Sequence, residues 1–365
     1  MKIIHCADIH LDSRMAAHFD NDTAKKRRLE ILDTFCSMIQ YAAEHDVEAV
    51  IIAGDLFDTN KPSALARGRV LSTIRENRNI HFYYLRGNHD LVRQDEEDLP
   101  ENLHQFSEKW TGYRLADGIT LKGVELNSET EPDIYDSLFL KENEFNIVAL
   151  HGQEAVSSAK DRAEVINLRA LRNRGIDYLA LGHIHAYKKE SLDNRGTYCY
   201  PGCLEGRGFD ECGIHGFVLL DVDPVSRKYS HRFIPFAGRT LYEVSIDISE
   251  CMTESDIETL ILKEIESGQY PDYENNLFQF NLVGAVDINC EKDIAYLKSR
   301  LERRTFFAKF KDKTEAKIYP EDYLQEESLK GAFVRSVMGD DSLAEDDRNY
   351  IIRNGLRLID GKELD

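Results

Sequence analysis

The chain is short of positive charge: 46 Lys and Arg stand against 66 Asp and Glu, a formal net charge of -20 over 365 residues. Phosphate binding ordinarily needs clustered cations, so bulk charge is excluded as a grip on nucleic acid, and only local basic groups, divalent ions or a basic partner remain. No run of about 18 apolar residues is present, which excludes a membrane-spanning helix of ordinary composition. Met1 to Leu11 is broken by His5, Asp8 and His10 and offers no signal-peptide core, so a cytoplasmic location is expected. The seven cysteines (6, 36, 199, 203, 212, 251 and 290) contain no Cys-x-x-Cys and are odd in number, which argues against both a disulfide framework and a zinc knuckle. Reduced thiols are expected. Internal repeats and low-complexity segments are also missing.

What is present is enough apolar surface, 42% of residues, for a sizeable core, and a length that favours two domains. Near-continuous apolar strands are predicted at 2–7, 49–53, 81–85, 146–150, 178–181, 197–200 and 216–222. Helices are predicted between several of them, at 23–45, from Pro62 to about Arg78, and at 161–174. Such alternation indicates an α/β sheet covered on its faces. Residues 95–145 give no clear order beyond a strand candidate at 118–124. From about Leu241 the pattern becomes a small β-α-β-α-β unit. The tail reads as two helices, 320–338 and 343–358, the second opened by the capping box Ser342-x-x-Glu345. The expected domains are 1–238, 239–319 and 320–365. The run Lys25-Lys26-Arg27-Arg28 at the start of the first helix reads first as a solvated face, with a DNA contact as the alternative.

Five of the strands end in groups suited to metal binding: Asp8 with His10, Asp55, Asn88 with His89, His151, and His183 with His185. One histidine after a strand is ordinarily a hydrogen-bonded loop residue, and Gly-Asp or Asn-His pairs are common in turns. Repetition strand by strand is different, because ligands of open α/β sheets gather outside the carboxyl ends of the strands. The spacing of Asp8/His10 and of His183/His185 puts each pair on one side if the chain stays extended. His5, His18, His45, His81, His104, His215 and His231 match no such pattern. Imidazole, carboxylate and amide without thiolate suit manganese, iron or zinc. Seven ligands exceed the needs of one zinc, whereas two divalent ions sharing a carboxylate account for them.

In order and context, Asp8-x-His10, Gly54-Asp55, Gly87-Asn88-His89-Asp90, His151-Gly152 and Gly182-His183-x-His185 resemble the calcineurin-like metallophosphoesterases. His10-Leu11-Asp12-Ser13, Gly54-Asp55-Leu56-Phe57-Asp58 with Pro62, and Tyr200-Pro201-Gly202 followed by Gly206-Arg207 and Gly216-Phe217 are similar to the SbcD-type DNA-repair exonucleases within them. The resemblance covers residues 1–235 closely and 240–365 by architecture only. It implies a four-layer sandwich of two mixed sheets flanked by helices, with an α+β cap and a helical tail. It also implies one metal held by Asp8, His10, Asp55 and His185, and a second held by Asp55, Asn88, His151 and His183. Asp55 would bridge. His89 would stabilise the transition state and protonate the leaving oxygen, with Asp90 the candidate for fixing its tautomer.

The function this implies is a manganese-dependent DNA nuclease, 3′ to 5′ in polarity with endonuclease action on single strands. Its partners would be DNA, a second copy and an SMC-like coiled-coil ATPase docking on the tail helices. A phosphatase or small-molecule phosphodiesterase would use the same dimetal site, and a non-catalytic scaffold subunit is a third reading. The full ligand set with His89 weighs against the scaffold.

Overall fold

The computed structural model describes residues 1–89, 99–127, 130, 134–155, 165–287, 289–317, 319–359 and 361. They fall into two compact units, Met1–Tyr242 and Glu243–Asp365.

In chain order the first unit contains β1 (Lys2–Cys6), α1 (Asn21–Glu44), β2 (Val47–Ala53), α2 (Ala64–Glu76), β3 (His81–Leu85), β4 (Leu103–Gln105), β5 (Thr111–Ala116) and β6 (Ile119–Gly123). It continues with β7 (Phe145–His151), β8 (Gln153–Ala155), β9 (Val165–Asn167), α3 (Leu168–Leu171), β10 (Tyr178–Gly182), β11 (Lys188–Ser191), β12 (Thr197–Tyr200), β13 (Gly216–Asp223) and β14 (Lys228–Pro235). Two six-stranded mixed sheets result, in the orders β14-β13-β1-β2-β3-β4 and β11-β12-β10-β7-β6-β5. Their centres are parallel, with antiparallel pairs at β1/β13, β13/β14, β5/β6 and β11/β12.

Period two explains why the central strands are apolar throughout. Ile3, Ile51, Leu85, Ile147, Ala149 and Ala180 meet between the sheets in one core. Val148, Leu150, Leu179 and Leu181 point the other way, into a second core that includes Leu168 and Leu171 of α3. Helix α1 buries Ile31, Phe35, Met38, Ile39 and Ala42, a spacing of three to four residues, and is capped by Asp20, which accepts from the amides of Asp22 and Thr23.

The expected fold class is correct: two mixed sheets with helices, followed by a smaller unit and a helical tail. Three local readings differ. The 161–174 helix is confined to Leu168–Leu171, because Val165-Ile166 pairs with β8 and the Asn167 side chain caps the turn by accepting from Arg169 and Ala170; residues 161–164 lie outside the described residues. Arg27 is wholly buried rather than solvated, paired with Glu205 at 2.7 Å and Glu30 at 2.8 Å. In the tail, the 320–338 helix is divided into Pro320–Tyr323 and Leu329–Met338, where Ser328 starts a new cap by accepting from Gly331.

The second unit has most of β15 (Leu241–Asp247), whose first two residues belong to Met1–Tyr242, then α4 (Glu254–Ile265), β16 (Leu277–Val283), β17 (Ala285–Val286), α5 (Ile294–Leu301), β18 (Phe307–Asp312) and β19 (Glu315–Ala316). These are followed by the short turn α6 (Pro320–Tyr323), then α7 (Leu329–Met338) and α8 (Glu345–Ile359). Strands β15, β16 and β18 form one sheet, and α4 opens on a complete capping box of Thr253 and Asp256. Helices α7 and α8 close on Val334, Val337, Ile352 and Leu356. Before α8 the Ser342 hydroxyl donates to Asp340 at 2.5 Å. All cysteines are free thiols, and among the described residues no helix is long and apolar enough to cross a membrane.

His5, on β1, is fully buried beside the Tyr178 hydroxyl at 2.9 Å, and burial, assisted by repulsion from His231, pushes its pKa down to about 3. Unfolding returns it to an ordinary value near 6.5, so the unfolded chain binds the extra proton between those limits. Stability is therefore complete above about pH 6.5 and falls as pH drops towards 3, by up to about 1.4 kcal/mol per pH unit from this group. Urea melts of the metal-free chain at pH 7 and pH 5 should show the loss, and His5→Asn should flatten it. Parallel losses in both proteins would contradict this origin.

Candidate metal centre

The parallel strands bring their carboxyl ends to one place. In register Ala53 lies opposite Leu85, and His151 opposite Gly182. The two sheets touch there: the His151 Nδ1–H donates to the Ala53 carbonyl at 2.9 Å. Glycine is required at this junction. A Cβ on Gly54, whose φ is +100°, would lie 2.0 Å from His151 Nδ1. One on Gly87 would lie 2.1 Å from Asp55 Oδ1, so Gly87 serves close approach.

Asp8 and His10 do not reach the site by extended alternation. Their φ angles are 52° and 49°, and Asp55 (50°) and His183 (103°) are also left-handed. Such backbone costs about 1–3 kcal/mol per residue unless its surroundings hold it. Here the Asp8 and His10 amides donate to the carbonyls of Gly54 and Asp55 at 3.1 and 2.9 Å. The His183 amide donates to both oxygens of Asp8 at 2.9 Å.

Two sets of donor atoms lie within 4.8 Å of one another among the predicted ligands, Asp8/His10/His185 and Asp8/Asp55/His151. Asp55 Oδ2 stands between them, 3.7 Å from His10 Nε2 and 3.4 Å from His151 Nε2, while its Oδ1 accepts from the His89 amide at 2.9 Å. Asn88 Oδ1 is 3.0 Å from His151 Nε2. The His183 ring stands edge-on to that of His151, with centroids 5.4 Å apart. Asp90 lies outside the described residues.

Proton accounting tests whether this set fits a cation. His10 Nδ1 is 2.9 Å from Asp58 Oδ1 and His185 Nδ1 is 2.7 Å from Glu211 Oε1, so both rings carry their proton on Nδ1. Their Nε2 lone pairs then face each other at 3.2 Å. His151 likewise spends its Nδ1–H on a carbonyl and turns Nε2 towards Asn88 Oδ1 and Asp55 Oδ2. Acceptors face acceptors. A buried cluster of this kind is stable only with positive charge inside it, and imidazole, carboxylate and amide are ligands of divalent metals. Burial opposes charge on His151, but the hydrogen bond and charge of Asp55 outweigh it and raise its pKa to about 9. His10, where burial dominates, is shifted down.

Sequence reasoning missed two carboxylates. Asp58 Oδ1 accepts from His10 and lies 3.2 Å from His89 Nδ1, so among the described residues Asp58 is a carboxylate beside the His89 ring. That contact raises the His89 pKa against the effect of burial. Asp58 was visible as the last residue of Gly54-Asp55-Leu56-Phe57-Asp58; Glu211, in the loop before β13, carried no sequence signal. Beside these groups a cavity of about 690 Å³ opens, lined by Asp58, Arg207 and Glu211 and by the cations Arg14, Arg28 and Lys61.

The family model for calcineurin-like phosphoesterases matches residues 1–187. A DNA double-strand break repair protein Mre11 from Sulfolobus acidocaldarius is 28% identical over 314 residues, covering 82% of this chain and 78% of its own length. A protein of the same name from Archaeoglobus fulgidus is 25% identical, with 83% of this chain and 74% of its own covered. YhaO, an uncharacterized metallophosphoesterase of Bacillus subtilis, is 27% identical, with 68% and 64% covered. A match over half the sequence, on the part that builds the junction and its proton-depleted donor set, is decisive: the chain belongs to the calcineurin-like phosphoesterase family.

Proposed function

We propose that the chain is a DNA nuclease of DNA repair that hydrolyses phosphodiesters with two divalent ions, manganese foremost, acting 3′ to 5′ on ends and endonucleolytically on single strands. Asp8, His10, Asp55 and His185 would hold one ion, and Asp55, Asn88, His151 and His183 the other. When bound, such ions supply an activated water and offset charge developing on the phosphoryl oxygens. The protein's own groups do the rest. Asp58 accepts from His89 Nδ1, which leaves Nε2 to deliver a proton to the leaving oxygen. The raised pKa of His89 favours the protonated form needed for that step.

The observation that carries the choice of DNA over a small phosphoester is the cavity beside the site. Arg14, Arg28 and Lys61 line it and have no side-chain partner among the described residues. In a chain of net charge -20, Arg14, Arg28 and Lys61, unpaired among the described residues, offer phosphate contacts at the mouth of this site beside the carboxylates Asp12, Asp58, Asp210 and Glu211 of the same lining. The names of the Mre11 relatives agree with this reading. A second copy and an SMC-like coiled-coil ATPase are the proposed protein partners. The ATPase is assigned to the tail, where Leu329, Tyr350 and Leu358 are exposed.

Replacing Arg14, Arg28 and Lys61 together by alanine should raise KM for DNA by about tenfold or more at 0.15 M salt. Each lost phosphate contact should reduce the salt slope of DNA binding by about 1. Hydrolysis of a bis-aryl phosphodiester should stay unchanged. Equal loss on both substrates, or on neither, would count against a DNA track.

A further inference from the structure

We infer that Arg207 is the positioning residue of the metal centre: its guanidinium ties together the two carboxylates that orient His10, His185 and His89. This rests on the reading of His10 and His185 as ligands and of His89 as the proton carrier.

The local sequence builds the hub. Arg207 lies between Gly206 and Gly208 in a loop that folds back on itself, with the Glu211 amide donating to the Gly208 carbonyl at 2.9 Å. A Cβ on Gly206 would stand 2.7 Å from the Glu211 carbonyl oxygen, so the turn admits no larger residue without shifting. The Arg207 amide donates to Glu211 Oε2 at 2.7 Å, and its Nε and Nη2 donate to Oε1 at 3.2 and 2.5 Å. Backbone and side chain thus grip one carboxylate together. The loop is also pinned to the segment between β10 and β11 that carries His185: the Cys203 amide donates to the His185 carbonyl at 3.0 Å, and His215 Nε2 donates to the Glu211 carbonyl at 2.8 Å.

From that anchor the guanidinium reaches the other carboxylate, with Nη1 3.4 Å from Asp58 Oδ1. Nη2 is also 3.2 Å from His185 Nδ1. Two tautomers of His185 compete here, since Nδ1 would accept from Arg207 or donate to Glu211. The contact to Glu211 is shorter, at 2.7 Å, and is to a full negative charge, so Nδ1 keeps the proton and Nε2 is free for a metal. Arg207 and Glu211 are largely buried, with 15% and 5% of their side-chain surface exposed, so the geometry is held rather than sampled. A planar fork is needed, because a lysine has one nitrogen and cannot hold both carboxylates at these positions. Carboxylates that orient metal-bound histidines typically carry about 10- to 100-fold of metal affinity. One arginine holding two of them should carry an effect of that order.

The test is calorimetric titration of Mn2+ into the metal-stripped full chain. Arg207→Ala should bind about 10- to 100-fold more weakly, and guanidinium ion at tens of millimolar should restore most of the loss while methylammonium should not. Arg207→Lys, which keeps the charge and serves if the alanine variant is unfolded, should also lose affinity. Unchanged Mn2+ affinity in either folded variant would overturn the proposal, as would a loss that guanidinium cannot repair. A raised KM for DNA with unaltered Mn2+ affinity would also overturn it, by making Arg207 a substrate contact. Because titration reads metal alone, a chain that meets these expectations yet spares DNA would overturn only the nuclease reading.

Discussion

His89→Ala should retain the divalent-ion affinity of the parent and lose about 10²- to 10⁴-fold in DNA hydrolysis, the range a general acid contributes. The alanine variant keeps what His89 gives the metal side, because the donor to Asp55 Oδ1 is the backbone amide. The loss is confined to a half-exposed ring held by Asp58 at 3.2 Å. An aryl ester, whose leaving oxygen needs little protonation, should suffer much less than DNA. Single-turnover rates on both substrates, with Mn2+ titrated in parallel, measure this. Metal content that falls together with activity would make His89 a ligand and cancel its assigned role.

Asp55→Asn should have the larger effect on the centre itself. Asp55 is 2% exposed and its Oδ2 lies between His10 and His151, so one charge serves both sides. Removing it should weaken both ions by more than about 100-fold, beyond what supporting groups usually cost, and hydrolysis should fall to background. In the metal-free chain the His151 pKa should fall from about 9, because burial would then act without the opposing carboxylate. Calorimetry gives the stoichiometry and histidine NMR gives the titration. One ion retained at parental affinity would mean that Asp55 is not shared.

The fold was legible where strands are covered on both faces, since Ile147 to Leu150 must be apolar at every position to serve two cores. Residues 95–145 were not, because β4 has only three residues and neither β4 nor β5 buries a residue fully, so neither shows a run of apolar core positions. The histidines and Asp55 stood out because each follows a strand. The carboxylates that orient them did not, because Glu211 is 26 residues from His185 and Asp58 is 48 from His10. Arg27 was misread for the same reason: its partner Glu205 is 178 residues away, and a local charge run gives no sign of a distant carboxylate. The left-handed backbone at Asp8 and His10 was equally hidden, since it is imposed by the neighbouring segment from Gly54 to Asp55.

Hydrolysis of DNA phosphodiesters is the activity proposed for this centre. It is tested most directly by digesting end-labelled duplex and single-stranded DNA, a bis-aryl phosphodiester and a phosphomonoester, with and without Mn2+. Mn2+-dependent cleavage of DNA and of the diester is expected, with the monoester spared and all activity removed by Asp55→Asn. Rapid hydrolysis of the small esters with DNA left intact would contradict it.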